Sequence, residues 1–164
     1  MSILRPYLNF VLVLGAQWLF LQGMQFSIYG NPYFYMLFLL WLPSNTKAAA
    51  LYTYAFVLGF AMDGFEQSGG AHTIATLLMA AAKPVVERGL VGFTGNNELE
   101  SFRELDVRRF IIPTIILVFI HHTVLFSLEN YGFELLKALL VRIVLSTTTS
   151  VASLLVLHML FKRK

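Results

Sequence analysis

A few charged or imidazole-bearing residues stand inside otherwise apolar runs: Asp63, His72, Lys83, the adjacent His121 and His122, and Arg142. Carboxylates and imidazoles can move protons or hold metals, and fixed cations can hold anions. The stretch Gly59 to His72, GFAMDGFEQSGGAH, gathers Asp63, Glu66, a Gly69-Gly70 pair and His72 without a single Lys or Arg. Adjacent histidines on a helix point about 100° apart, so both do not readily face one ion. No His-x3-His or Glu-x2-His pair occurs, so no metal site is expected. No nucleophile and base stand at a recognisable spacing and no glycine loop suits a phosphate. The chain therefore reads as a non-enzyme with no cofactor.

Each of these residues has a structural reading beside the functional one. From Ala48 to Met62 is about 22 Å of helix, which places Asp63 at the end of a span. There it either meets water or acts as a partner-binding or bundle-organising carboxylate. Arg142 keeps its charge and needs an acceptor; Asp63 or backbone carbonyls near a short second helix are the expected ones. Lys83 is expected to snorkel past Glu87, with Pro84 kinking its helix. One of His121 and His122 is expected to face the interior and the other lipid or a partner, while His158 is expected at the interface. Ser146 to Ser150, STTTS, reads as a packing surface whose hydroxyls bond the carbonyl four residues back.

The elements that position these residues follow from composition. The chain has 164 residues, 57% hydrophobic and 13% charged, with no cysteine. Soluble domains carry about 25% charged residues, so this is read as an all-α integral membrane protein, a single domain over residues 1–164. The net charge of +3 is modest, and nothing suggests nucleic-acid binding. Runs of roughly 17–25 apolar residues mark spans at Tyr7–Met24, Lys47–Gly64, Ala71–Leu90, Arg109–Leu128 and Glu134–Phe161. The first is read as a retained helix, because Leu21-Gln22-Gly23-Met24 lacks a small-x-small cleavage pattern. A sixth, short element, Tyr33–Leu42 between Pro32 and Pro43, is half a span long; it is either kinked and longer, from near Phe26, or re-entrant. Its Tyr33, Tyr35 and Trp41 suit an interfacial aromatic belt. Gly59 and Gly64 suit close helix approach, and Gly69-Gly70 a turn. The polar segment Val91–Arg108 is expected to carry a surface helix over Glu98–Asp106.

Charge favours six spans. With both termini cytoplasmic, Arg5, Lys47, Arg88, Arg103, Arg108, Arg109 and Lys162 to Lys164 fall inside. Asp63, Glu66, Glu129 and Glu134 fall outside, as the positive-inside rule requires.

The order of FLLWLPSNT, GFAMDGFEQSGGAHTIATLLMAAAKP, HHTVLFSLE and a final Ser/Thr-bearing helix resembles the MreD family, the small membrane subunit of the bacterial rod-shape machinery. Gly59 and Asp63 match its Gly-x3-Asp, Gly70 and His72 its Gly-x-His, and Lys83-Pro84 its basic-Pro pair, with Lys where Arg is frequent. The resemblance implies a six-helix bundle similar to the substrate-binding S components of energy-coupling-factor transporters. It further implies a non-enzymatic role in the bacterial inner membrane, binding an MreC-like bitopic protein and working with MreB, RodA and a class B transpeptidase. Gly59, Asp63, Gly70, His72, Lys83, Pro84, His121 and Arg142 are the expected partner-binding or bundle-organising residues. A lipid-facing patch around Tyr33, Tyr35 and Trp41 and the rim Asp63–His72 are the expected partner surfaces. The rival reading is a vitamin-type binding subunit with His72, His121 and Asp63 lining a cavity. A flippase or channel has only Arg142 and Lys83 in its favour.

Overall fold

The computed structural model describes residues 4–23, 31–92, 100–129 and 136–161. Among them the chain forms six α-helices: α1 (Leu4–Gly23), α2 (Met36–Leu40), α3 (Ala48–Glu66), α4 (Ala71–Val86), α5 (Val107–Glu129) and α6 (Leu136–Phe161). No strand occurs among the described residues. Three helices, α3, α5 and α6, are long and apolar enough to cross a membrane. The expected boundaries hold to within a few residues; Met24, Phe26 and Glu134 lie outside the described residues. Many large apolar side chains point outward, among them Val11, Phe60, Ile112, Val144 and Leu160, while Gln17, His72, Thr114, His121, Ser146 and Ser150 are buried. An exposed surface rich in large apolar side chains, around an apolar core that also encloses polar ones, is unlike a water-soluble fold.

Helices α3 to α6 pack in chain order, each against the next. Consecutive neighbours run antiparallel: Asp63 at the end of α3 meets the start of α4, Arg109 at the start of α5 donates to the Val91 carbonyl just beyond α4, and Glu129 at the end of α5 pairs with Arg142 in the first half of α6. One end of the bundle therefore carries Asp63, Glu66 and Glu129 together with Lys137 and Arg142, and the other carries Lys47, Arg88, Arg103, Arg108 and Arg109 together with Glu87, Glu100, Glu104 and Asp106, so most of the basic residues gather at the second end. The α3–α4 crossing depends on Gly59: a Cβ there would lie 2.5 Å from the Thr73 Cα and 2.8 Å from the His72 carbonyl oxygen. The same role expected of Gly64 does not hold, because nothing approaches its Cβ position within 4 Å. The turn into α4 uses left-handed backbone at Gly69 (φ 62°) and Gly70 (φ 101°), which glycine adopts without a steric penalty. Pro84 supplies no N–H to α4, and the helix leaves α geometry three residues later in a π turn, Glu87–Val91.

The short second element corrects the expectation of a lipid-facing aromatic patch. Every residue of α2 is buried, and Tyr33 and Tyr35 have no exposed surface; Trp41 is half-buried. Five residues of helix span about 7.5 Å, so α2 alone is too short to cross a bilayer, but the segment around it runs from Tyr33, bonded to Glu66 at one end of the bundle, to Leu42 and Ser44, bonded to Lys83 and Glu87 toward the other. This segment is instead a wedge inside the bundle. A helix that is apolar on all sides is stable only when surrounded, and MLFLL is such a sequence. Its backbone is held by side chains from other helices. Gln17 Oε1 of α1 accepts from the Phe34 and Tyr35 N–H groups at 2.9 and 3.1 Å, and Gln17 Nε2 donates to the Pro32 carbonyl at 3.3 Å. Ser150 Oγ of α6 accepts from the Tyr33 N–H at 2.8 Å.

The expected surface helix over Glu98–Asp106 does not form in its described part. Residues 100–106 make turns, with the Glu104 N–H donating to the Ser101 carbonyl at 2.9 Å. Phe102 and Leu105 are driven into the core instead.

Candidate functional site

At the acidic end, α4 starts on Gly70, which offers no side chain to cap the first turn. Asp63, at the end of α3, supplies that cap from a neighbouring helix. Its Oδ1 accepts from the His72 N–H at 2.9 Å and its Oδ2 from the Thr73 N–H at 3.1 Å. The Ser68 and Thr73 hydroxyls donate to the same carboxylate. These two amides are the N2 and N3 donors that an N-cap side chain ordinarily satisfies, and the negative charge faces the positive end of the α4 dipole. Asp63 thus ties α3 to α4 and sets the position of His72.

His72 opens a buried polar cluster. The Tyr35 hydroxyl lies 3.1 Å from His72 Nδ1 and 2.7 Å from His121 Nε2. The Tyr33 hydroxyl donates to Glu66 Oε2 at 2.9 Å, and His72 Nε2 stands 3.8 Å from the same carboxylate oxygen. His122 Nδ1 lies 3.1 Å from Thr147 Oγ1, and its ring stacks on Phe126. Both neighbouring histidines are therefore buried, against the expectation that one would face outward. Helix α5 packs between α4 and α6, so directions 100° apart both point inward.

Arg142 finds its acceptor at Glu129, 2.8 Å away, with its guanidinium 4.2 Å above the Phe126 ring. This corrects the expected pairing with Asp63, whose oxygens are already taken by the α4 N-terminus. Glu66, Gln67, Ser68, Gly69, Glu129 and Arg142 line an open cavity of about 320 Å³ at this end. The structure thus brings together Asp63, Gly70, His72, His121 and Arg142, with Tyr33 and Tyr35, as one polar assembly.

Lys83 and Trp41 lie elsewhere, toward the basic end. Lys83 is buried and does not snorkel: its Nζ donates to Glu87 Oε1 at 2.6 Å and to the Leu42 carbonyl at 3.0 Å. The Ser44 hydroxyl donates to the same Glu87 oxygen at 2.9 Å and lies 3.2 Å from the Glu100 carbonyl. Phe102 covers the ammonium at 5.8 Å. His158 is also buried rather than interfacial. Trp41 Nε1 donates to its Nδ1 at 3.2 Å, its Nε2 lies 3.0 Å from the Leu105 carbonyl, and its ring stacks on Phe110. Accepting at Nδ1 puts the neutral ring's proton on Nε2. These contacts anchor the C-terminal end of the wedge.

The hydroxyl run behaves in two ways. Thr148 and Thr149 donate to the carbonyls of Val144 and Leu145, four residues back, as expected. Thr147 and Ser150 serve the interior instead. Sequence reasoning placed Glu66 and Glu129 at the outer end without giving them a partner, and did not single out Gln17. Gln17 had a signal: it is the one amide between Phe10 and Leu21 of α1, in a setting where a polar side chain needs a partner. Comparison with protein-family models, with curated proteins and with solved structures finds no match to this chain.

Proposed function

We propose that this chain is a non-enzymatic scaffold subunit of the MreD type. It spans the bacterial inner membrane six times with both termini cytoplasmic, and holds an MreC-like bitopic protein for lateral wall synthesis alongside MreB, RodA and a class B transpeptidase. The observation that carries the reading is the placement of α2. A small-molecule carrier built on a similar bundle needs an open interior, and here that space is occupied by Tyr33, Tyr35, Met36, Leu39 and Leu40, all without exposed surface. The surfaces left for recognition are the apolar lateral faces and the acidic rim around Asp63, Glu66 and Glu129. Lateral packing of a single-span helix, guided by this rim, is the mechanism. The segregation of Lys47, Arg88, Arg103 and Arg109 to the opposite end supports the orientation.

Purification of the tagged chain from native membranes in mild detergent, followed by mass spectrometry, tests the reading. Recovery of an MreC-like single-span protein supports it. Recovery of a transporter ATPase module, with a vitamin-sized ligand and no single-span partner, replaces it with the S-component reading.

A further inference from the structure

The interior beside α2 has hydrogen-bonding capacity that the protein does not fill. His72, His121 and His122 have no exposed surface, and among the described residues His72 Nε2, His121 Nδ1 and His122 Nε2 have no partner. Glu66 Oε1 and Ser146 Oγ are in the same position. The three imidazoles and the Tyr33 ring are neighbours, with centroids 5.2 to 6.1 Å apart. Buried polar groups are satisfied by protein or by ordered water. The 3.8 Å separation of His72 Nε2 from Glu66 Oε2 is too long for a direct bond and suits a bridging water. Glu66 also lines the cavity that opens at the acidic end, which gives water an entry.

The Tyr35 hydroxyl adds a second constraint. It has one proton and lies within hydrogen-bond distance of two imidazole nitrogens, so it donates to one and accepts from the other. If it donates to His121 Nε2, both His72 and His121 carry their protons on Nδ1. If it donates to His72 Nδ1, both carry them on Nε2. The two rings are locked to the same tautomer. The second pattern points a His72 N–H toward the Glu66 carboxylate, so an ionised Glu66 selects it.

We propose that this cluster is an internal hydration site, filled with water from the acidic-end cavity, in which Glu66, His72, Tyr35 and His121 form a proton relay. A proton arriving from a bound water at His121 Nδ1 moves the Nε2 proton of that ring to the Tyr35 oxygen. The Tyr35 proton passes to His72 Nδ1, and His72 releases its Nε2 proton toward Glu66 through the bridging water. One proton enters, one leaves, and no electrons are transferred. The groups facing the relay are Tyr33, Glu66 and His122, with the Glu129–Arg142 pair at the mouth. This site stands independently of the scaffold role.

The test is nuclear magnetic resonance of the full chain in lipid nanodiscs with ¹⁵N-labelled histidine. The expected result is water-proton cross-peaks to His72, His121 and His122, with His72 and His121 sharing the Nε2-protonated form. Glu66→Gln shifts both rings together toward Nδ1 protonation, and Tyr35→Phe abolishes the correlation between them. Absence of water cross-peaks to His121 in the unsubstituted chain, or a Glu66→Gln shift confined to His72, overturns the proposal. The measurement on the unsubstituted chain decides the hydration even where a variant fails to fold.

Discussion

Removing the Asp63 carboxylate tests how the acidic end is built. Gly70 cannot cap α4, so Asp63→Ala leaves the His72 and Thr73 amides without their acceptor and the Ser68 and Thr73 hydroxyls without theirs. Loss of an N-cap costs about 0.5–2 kcal/mol, and loss of a negative charge at the helix N-terminus about 0.3–1 kcal/mol more. The two together give about 1–3 kcal/mol. Asp63→Asn retains Oδ1 as acceptor for the His72 amide but places an NH₂ where Oδ2 meets two donors from Thr73. It should lose roughly half as much by the same capping scale. The assay is unfolding in detergent micelles followed by tryptophan fluorescence. The expected order of stability is the unsubstituted chain, then Asp63→Asn, then Asp63→Ala. An Asp63→Ala protein as stable as the unsubstituted chain would refute the capping argument, and so would one more stable than Asp63→Asn.

Other predictions rest on separate parts of the bundle. Gly59→Ala forces α3 and α4 apart and should cost about 1–3 kcal/mol, whereas Gly64→Ala, in open space, should gain up to about 1 kcal/mol from helix propensity; thermal unfolding of the pair checks both signs. Removing either member of the buried Lys83–Glu87 pair should cost roughly 3–5 kcal/mol, and Lys83→Met with Glu87→Leu together should recover much of it, as a double-mutant cycle would measure. Gln17→Ala leaves the Phe34 and Tyr35 amides unsatisfied, at about 1–3 kcal/mol each; hydrogen exchange at those two amides should rise before global unfolding. Arg142→Ala leaves Glu129 without its partner and should weaken recovery of the single-span protein in the detergent purification.

Helices α3, α5 and α6 were legible as candidate spans because each is a long apolar run of the kind that a helix can carry through lipid. Gly59 was legible as a close-approach position, and Gly69-Gly70 as a turn. The burial of α2 was not, because ten apolar residues between two prolines suit an interfacial belt as well as a core. What decides it is Gln17 and Ser150, single polar residues on distant helices that hold its backbone. The partner of Arg142 was ambiguous for a related reason. Asp63 and Glu129 lie at the same end, and only the lack of a side chain at Gly70 commits Asp63 to α4. The Lys83–Glu87 spacing was visible, but its burial depends on Phe102 folding back from a segment that reads as polar. His121 and His122 were misjudged because helical geometry gives their relative direction but not the number of helices around α5.

The measurement closest to the central claim is photo-crosslinking in native membranes from a probe at Gln67, on the acidic rim, compared with one at Lys47 on the opposite end. The account predicts that the Gln67 probe captures a single-span membrane protein and that Asp63→Ala diminishes the capture. Capture of a transporter subunit at either end, or a single-span partner captured only from Lys47, would contradict it.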